Sequence, residues 1–201
     1  MKKILAISAI ATALLLTGCS QVGAAATVGN TKITQATVQA SIDSIIAERK
    51  KVDTSQMQLE TGSTLNIAQL RFQVLTALIR EVAKDYKVTA TKAEIDTRRT
   101  GILGQVGGAT GLPKALVGAG IAPANFDTYL EAVILSGKIS QAIVATGVSQ
   151  DALGGEITKI VSLKAAALKV TINPRYGKWD PVKADIVATD SAGNAVKSTT
   201  P

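Results

Sequence analysis

Apolar residues recur along this chain at spacings of three and four, the period of a helix with one buried face. Val38, Ile42, Ile45 and Ile46 begin the series. With Thr34 as N-cap they predict a helix from about Thr34 to Lys51. The polar stretch 53–63 with Gly62 reads as a loop. A longer stripe follows: Ile67, Leu70, Val74, Leu75, Leu78, Val82 and Tyr86. It covers more than five turns and predicts a long helix starting near Ser63 or Thr64. Thr91 and Glu94 have the spacing of a capping box. They open a third helix carrying Ile95, Ile102, Leu103 and Val106, which fades at Gly107-Gly108. The five glycines between 101 and 111 predict a flexible inter-helix loop, open to use as a mobile lip. A short helical piece starts at Gly111-Leu112-Pro113 and runs through Val117. Pro123 suits a helical first turn. Phe126, Leu130, Val133, Ile134 and Gly137 then mark one face of a helix that reaches about Ala145. Ser149 caps one more, ending near Ala165.

Period-two alternation occurs only toward the two ends. Residues 25–28 and 31–33 flank Gly29-Asn30 and predict a hairpin. Residues 168–172 alternate as a strand, residues 173–177 turn away, and 184–187 is weakly extended. The fold class expected is mainly α, a multi-helix domain with a small β-sheet made by N- and C-terminal strands that pair and close the unit.

Before this pattern stands a different one. Lys2 and Lys3 precede an unbroken apolar or small run from Ile4 to Leu16. Thirteen residues make about 20 Å of helix, short of the ~30 Å hydrocarbon core of a bilayer. The run has the form of a signal-peptide h-region. Leu16-Thr17-Gly18-Cys19 follows it and resembles a bacterial lipobox, whose Cys receives a diacylglycerol on sulfur and becomes the first residue after cleavage. Cys19 is the single Cys of the chain. An ordinary secretory signal with a stray Cys is the plainer alternative. The organisation expected is a signal peptide at 1–18, a lipidated tether at 19–26, a helical domain at 27–187 and a polar tail at 188–201. Stable anchoring takes two acyl chains or more, and a diacylglycerol on Cys19 supplies two.

Composition narrows the chemistry. The 201 residues contain no His. Ser-His-Asp and Cys-His catalysis are therefore excluded, as is a zinc site of the usual His/Cys kind. One Cys forms no disulfide within the chain. Aromatic residues make up 3 % of the chain, which argues against stacking on nucleic-acid bases. Without Lys2 and Lys3, 20 basic residues face 15 acidic ones, a net charge of +5. Solvated helix faces account for so modest an excess; anionic headgroups are the other reading. Arg71, Arg80, Arg98 and Arg99 admit the same two kinds of reading, solvated surface or a site for an acidic partner. Glu94 and Asp96 stand two apart and do not face each other on a helix, so no catalytic carboxylate pair is indicated. No GxxxxGK[ST] or strand-borne GxGxxG occurs. No metal, cofactor or catalytic residue is expected.

The order of several segments resembles one family. Residues 26–34 (Ala-Thr-Val-Gly-Asn-Thr-Lys-Ile-Thr) resemble the A-x-V-N-G-x-x-I-T start of SurA- and PrsA-like extracytoplasmic chaperones. Residues 88–96 resemble their V-T-x-x-E-I/V-D helix start. Residues 120–130 resemble the segment before their long return helix. Residues 170–180 (Val-Thr-Ile-Asn-Pro-Arg-Tyr-Gly-Lys-Trp-Asp) resemble the closing strand and turn of short lipoprotein relatives of actinobacterial type. The likeness spans residues 25–181. Gly29-Asn30 departs from the usual Asn-Gly and leaves the turn type open, though not the hairpin.

The resemblance implies a SurA N-terminal-like chaperone domain: an apolar helical cradle closed by the first and last strands, binding unfolded or newly exported polypeptides without ATP. Many relatives carry a parvulin-type isomerase module before the closing strand. Here residues 144–168 leave 25 positions, too few for a domain of roughly 100 residues. The histidines characteristic of parvulin sites are missing as well, so isomerase activity is expected to be absent. The client-contacting residues expected are Arg175, Tyr176, Trp179, Phe126 and Tyr129, types that make good hot spots. For Arg175, Tyr176 and Trp179 the alternative is a packed turn, with the rings over the sheet. Partners expected are unfolded or exported polypeptides, and the extracytoplasmic face of the cell membrane through Cys19. The other functional class is a structural adaptor lipoprotein that binds one defined envelope partner.

Overall fold

The structure, a computed structural model, describes residues 23–189. The expected signal peptide, Cys19, the first part of the tether and nearly all of the tail lie outside the described residues. The chain is mainly helical, with a small antiparallel sheet drawn from both ends of the sequence.

Strands β1 (Ala24–Val28) and β2 (Thr31–Thr34) form the N-terminal hairpin, with Val28 opposite Thr31 and Ala24 opposite Thr34. β1 begins inside the range expected for the tether, and Ala24, Ala25 and Ala26 are buried. Of the two turn residues, only Gly29 has positive φ, +56°. A Gly at the first central position is the arrangement of a type II′ turn, which accounts for Gly-Asn in place of Asn-Gly.

Helix α1 (Gln35–Arg49) follows directly, and the Oγ1 of Thr34 accepts from the Thr37 amide at 3.0 Å, as its N-cap reading requires. Val38, Ile42 and Ile45 are buried. Ile46 is 42 % exposed, because one further residue rotates it about 100° off that face. Helix α2 (Gly62–Asp85) is the longest, about 36 Å at 1.5 Å per residue. Leu65, Leu70, Val74, Leu78 and Val82 are its buried line. Ile67, Leu75 and Tyr86, expected in the same stripe, are half-buried on its flanks. The helix packs against α1, against β1 and against the two later helices α5 (Phe126–Ala145) and α6 (Gln150–Ala167).

Helix α3 (Lys92–Gln105) opens with the full capping box. The Thr91 side chain accepts from the Glu94 amide, and Glu94 Oε2 accepts from the Thr91 amide at 2.8 Å. None of its residues is buried. Helix α4 (Gly108–Gly118) starts three residues earlier than expected. The five-glycine stretch is therefore not a loop. Gly101 and Gly104 lie in α3, Gly108 and Gly111 in α4, and only Val106 and Gly107 lie between. Gly111 has a steric reason: a Cβ there would stand 1.6 Å from the Val106 carbonyl oxygen.

A single 3₁₀ turn, Pro123–Asn125, leads into α5. The buried face of α5 is Phe126, Leu130, Leu135, Ile139 and Ile143. Val133 and Ile134 are only half-buried, and Gly137 is exposed. Ser149 caps α6 by accepting from the Ala152 amide at 3.4 Å. α6 runs to Ala167, further than expected, because Lys169 closes it in the left-handed conformation (φ +51°). The Lys169 and Val170 amides donate to Ala166 and Ala165, a Schellman motif. The predicted strand 168–172 is thereby shortened to β3 (Thr171–Ile172).

β3 pairs with β1, Ala26 opposite Ile172, so the three-stranded order is β2-β1-β3. β4 (Lys178–Asp180), unforeseen in sequence, and β5 (Asp185–Val187) form a second hairpin. The main core gathers Val28, Val38, Ile45, Leu70, Val74 and Leu78 with Tyr176 and Ile186 from the C-terminal segment. A second cluster joins Val82 to Leu135, Ile139 and Ile143, and a third joins Leu116, Phe126 and Leu130. No single helix among the described residues is long and apolar enough to cross a membrane.

Candidate functional site

Helix α6 contributes one buried side chain, Ala165. Its inner stripe, Leu153, Ile157, Ile160 and Val161, packs half-buried on the bundle. The β4–β5 hairpin lies alongside. Arg71 of α2 fixes it, donating from Nε to Asp185 Oδ1 at 2.6 Å and from a terminal nitrogen to the Ile186 carbonyl at 3.0 Å. Its turn is ordered by Asp180, which accepts from the Val182 and Lys183 amides at 2.9 and 3.2 Å. Ser162 Oγ donates to the Pro181 carbonyl at 2.5 Å and ties the turn to α6.

Apolar hollows flank this tie. One, of about 220 Å³, is walled by Leu75, Ile79, Ile139, Ile157 and Val161, with Lys183 and Ala184 at its lip. The other, of about 370 Å³, is walled by Leu163, Ala166, Val170, Trp179 and Pro181, with Lys159 and Lys169 at its edges. Beside them stand two of the most exposed apolar side chains of the fold, Leu163 at 61 % and Val182 at 84 %. The result is an apolar face with a basic rim, built from α6 and the hairpin. Its polar lining is the hydroxyls of Ser136, Thr158 and Ser162 together with the rim lysines. It is an exposed apolar surface next to two apolar hollows, open to burial of apolar groups.

The five expected client contacts do not come together. Trp179 lies on this face, half-buried between Val170 and Pro181. Arg175 is exposed at the other end of β4, its guanidinium 5.9 Å from the centroid of the Tyr176 ring. Tyr176 is only 6 % exposed and belongs to the main core, so its ring is packing rather than surface. Phe126 is also 6 % exposed and sits in the third cluster. Tyr129 is half-buried in a separate hollow of about 260 Å³ with Phe72, Gln69 and Ile121. The sequence reading missed Leu163 and Val182. A signal was present for Leu163: it falls off the 153–157–160/161–164 line of its own helix.

The arginines weighed for an acidic partner are largely engaged within the fold. Arg71 holds Asp185, and Arg80 holds Glu131 at 2.5 Å, a pair that raises the Arg80 pKa further. Arg99 pairs with Asp96 at 2.9 Å and with Asp127, linking α3 to α5. Arg98 is exposed. Glu94 serves its capping box and also receives Lys138 Nζ at 2.5 Å. The Lys138 hydrogen bond, then those of Thr91, hold its carboxyl down to about 2, from an ordinary 4.5. Among the described residues no three His, Cys, Asp or Glu side chains gather as a metal site would need.

No protein-family model matches this chain, and no curated protein or solved structure matches it either.

Proposed function

We propose that this chain is a membrane-anchored extracytoplasmic lipoprotein that holds unfolded or newly exported polypeptides, without ATP, cofactor or isomerase activity. The observation that carries the reading is the face beside the closing hairpin: two apolar hollows with Leu163 and Val182 standing out between basic side chains. Such a face binds apolar segments of many sequences, because hydrophobic contact is non-directional. The lipobox-like Leu16–Cys19 supports the anchor. The SurA/PrsA-like segments fall on the β1–β2 hairpin, the start of α3, the start of α5 and the β3–β4 connection, the joints of this fold. The interval in which many SurA/PrsA-like chaperones carry a parvulin module holds α6 in this chain.

The test is aggregation of a chemically unfolded model protein, followed by light scattering, with the full chain in lipid nanodiscs. Suppression that saturates near stoichiometry, and that is lost in Leu163→Ser/Val182→Ser, is the expected result. Scattering unchanged from empty nanodiscs sinks the chaperone reading. One observation favours the adaptor reading as second choice. The hollows are small and the hairpin is clasped by Ser162 and Arg71, a geometry suited to one shaped partner. Crosslinking in the cell envelope that returns a single saturable partner would favour it.

A further inference from the structure

Both ends of the described chain leave the fold at one place. The Gly23 carbonyl accepts from the Gln35 amide at 2.8 Å, where α1 begins. The Ala24 and Ala25 carbonyls accept from Asn173, by its side chain at 3.0 Å and its amide at 2.9 Å. At the other end, Thr189 Oγ1 donates to the Pro174 carbonyl at 3.4 Å. The segments before Gly23 and after Thr189 therefore start beside the same turn, Asn173–Gly177.

After cleavage before Cys19, as the lipobox reading has it, four residues, Cys19–Val22, would precede Gly23. Fully extended they reach about 14 Å. A lipid on Cys19 would hold this end near the bilayer, and a tether this short lets it come within the ~8 Å over which the surface field decays at physiological ionic strength. The opposite end of the sheet, at Gly29-Asn30, lies a five-residue strand away, about 16 Å.

The charge at the exit end suits an anionic surface. Arg175 and Lys178 are exposed there. The first turn of α1 carries no acidic residue, so no carboxylate opposes the positive end of its dipole, although the Thr34 hydroxyl and the Gly23 carbonyl accept from its first amides. Asp180 is occupied in capping the far turn of its hairpin, and Asp43 stands two turns into α1. The four preceding residues are uncharged, and in 190–201 Asp190 and Lys197 cancel.

We infer that this end of the fold, with Arg175 and Lys178 as its basic contacts, docks on anionic phospholipid headgroups. The inference rests on the lipid-anchor reading of Cys19. Docking there turns Lys178 and Val187 toward the lipid and leaves Val182, on the far turn of the hairpin, at the end away from it.

The experiment reconstitutes the full, lipidated chain into vesicles of phosphatidylglycerol with phosphatidylcholine, and of phosphatidylcholine alone. Lipidation occupies the sulfur of Cys19, so an introduced Cys is the one reactive thiol. A fluorophore is placed at Ala36→Cys, beside Gly23, or at Asn30→Cys, on the opposite end, and is quenched by headgroup-nitroxide lipid. Strong quenching at position 36 and weak quenching at position 30 on the anionic vesicles is expected. Arg175→Gln and Lys178→Gln should each shift the docked-to-undocked ratio by about fivefold on the anionic vesicles and little on the neutral ones. Equal quenching at both positions overturns the docking while leaving the anchor intact. So does an asymmetry indifferent to the two Gln variants. Failure of the chain to stay with vesicles, matched by Cys19→Ser, overturns the anchor and the docking together.

Discussion

Glu94 shows how one side chain can hold two elements. It completes the capping box of α3 and pairs with Lys138 of α5. Its folded pKa of about 2 lies below the ordinary 4.5, so its contribution to stability is complete above about pH 4.5 and fades as pH falls toward 2. Glu94→Gln should lower Tm at neutral pH, with the gap to the parent chain narrowing below pH 4.5. Thermal melts of both across that range decide it; a gap independent of pH would show that charge plays no part. Gly177 is a second case. Its φ is +128°, and a Cβ there would meet the Val187 carbonyl oxygen at 2.2 Å. The clash is with backbone in the closing hairpin and has no side-chain escape. Gly177→Ala is expected to cost roughly 2 kcal/mol or more, measured by urea unfolding.

At the scale of elements, burial and function separate. Leu70 of α2 is fully buried, so Leu70→Ala should cost about 2–5 kcal/mol through the cavity it leaves. Leu163 of α6 stands in solvent, so Leu163→Ser should leave stability within about 0.5 kcal/mol of the parent while weakening client holding. Unfolding curves and the scattering assay on both variants separate the two roles; a Leu163→Ser that holds clients as well as the parent removes the face from the proposal. The same distinction explains what was legible in the sequence. The starts of α1, α3 and α6 were, because Thr34, Thr91 with Glu94, and Ser149 act on amides three residues away, inside any short window, whereas α4 has no such cap and starts at Gly108. The end of α6 was not, since a Lys rather than a Gly takes the left-handed position at 169. β4 has three residues and no alternation to read, and only its pairing with β5 defines it. The candidate site was legible in one residue, Trp179. Aromatic type marks Phe126 and Tyr176 as candidates, but which ring is covered depends on partners far away in sequence. The exposed Leu163 and Val182 become a surface only when α6 and the hairpin meet through Ser162.

The described fold is closed by residues 171–187. β1 is the central strand, held on one edge by its neighbour β2 and on the other by β3, which arrives more than 140 residues later. The Thr27 and Thr171 hydroxyls meet at 2.6 Å across that seam, and the Leu168 carbonyl takes the Gly29 amide at 2.9 Å. Beyond it, Tyr176 and Ile186 fill the main core between sheet and helices, and Arg71 reaches from α2 to hold their hairpin. The helices alone therefore leave β1 with an open edge and the core with two large side chains missing. Such an edge invites pairing with other chains, and such a core loses fixed packing before it loses helix. A chain ending at Ala167 is predicted to keep much of its far-UV helical signal yet melt without a sharp transition, bind a hydrophobic dye and aggregate. Far-UV melting and amide dispersion by NMR test this against the parent chain. A truncated chain with a cooperative melt and well-spread amide signals would mean that the helices fold alone. The terminal strands would then serve only to present the apolar face.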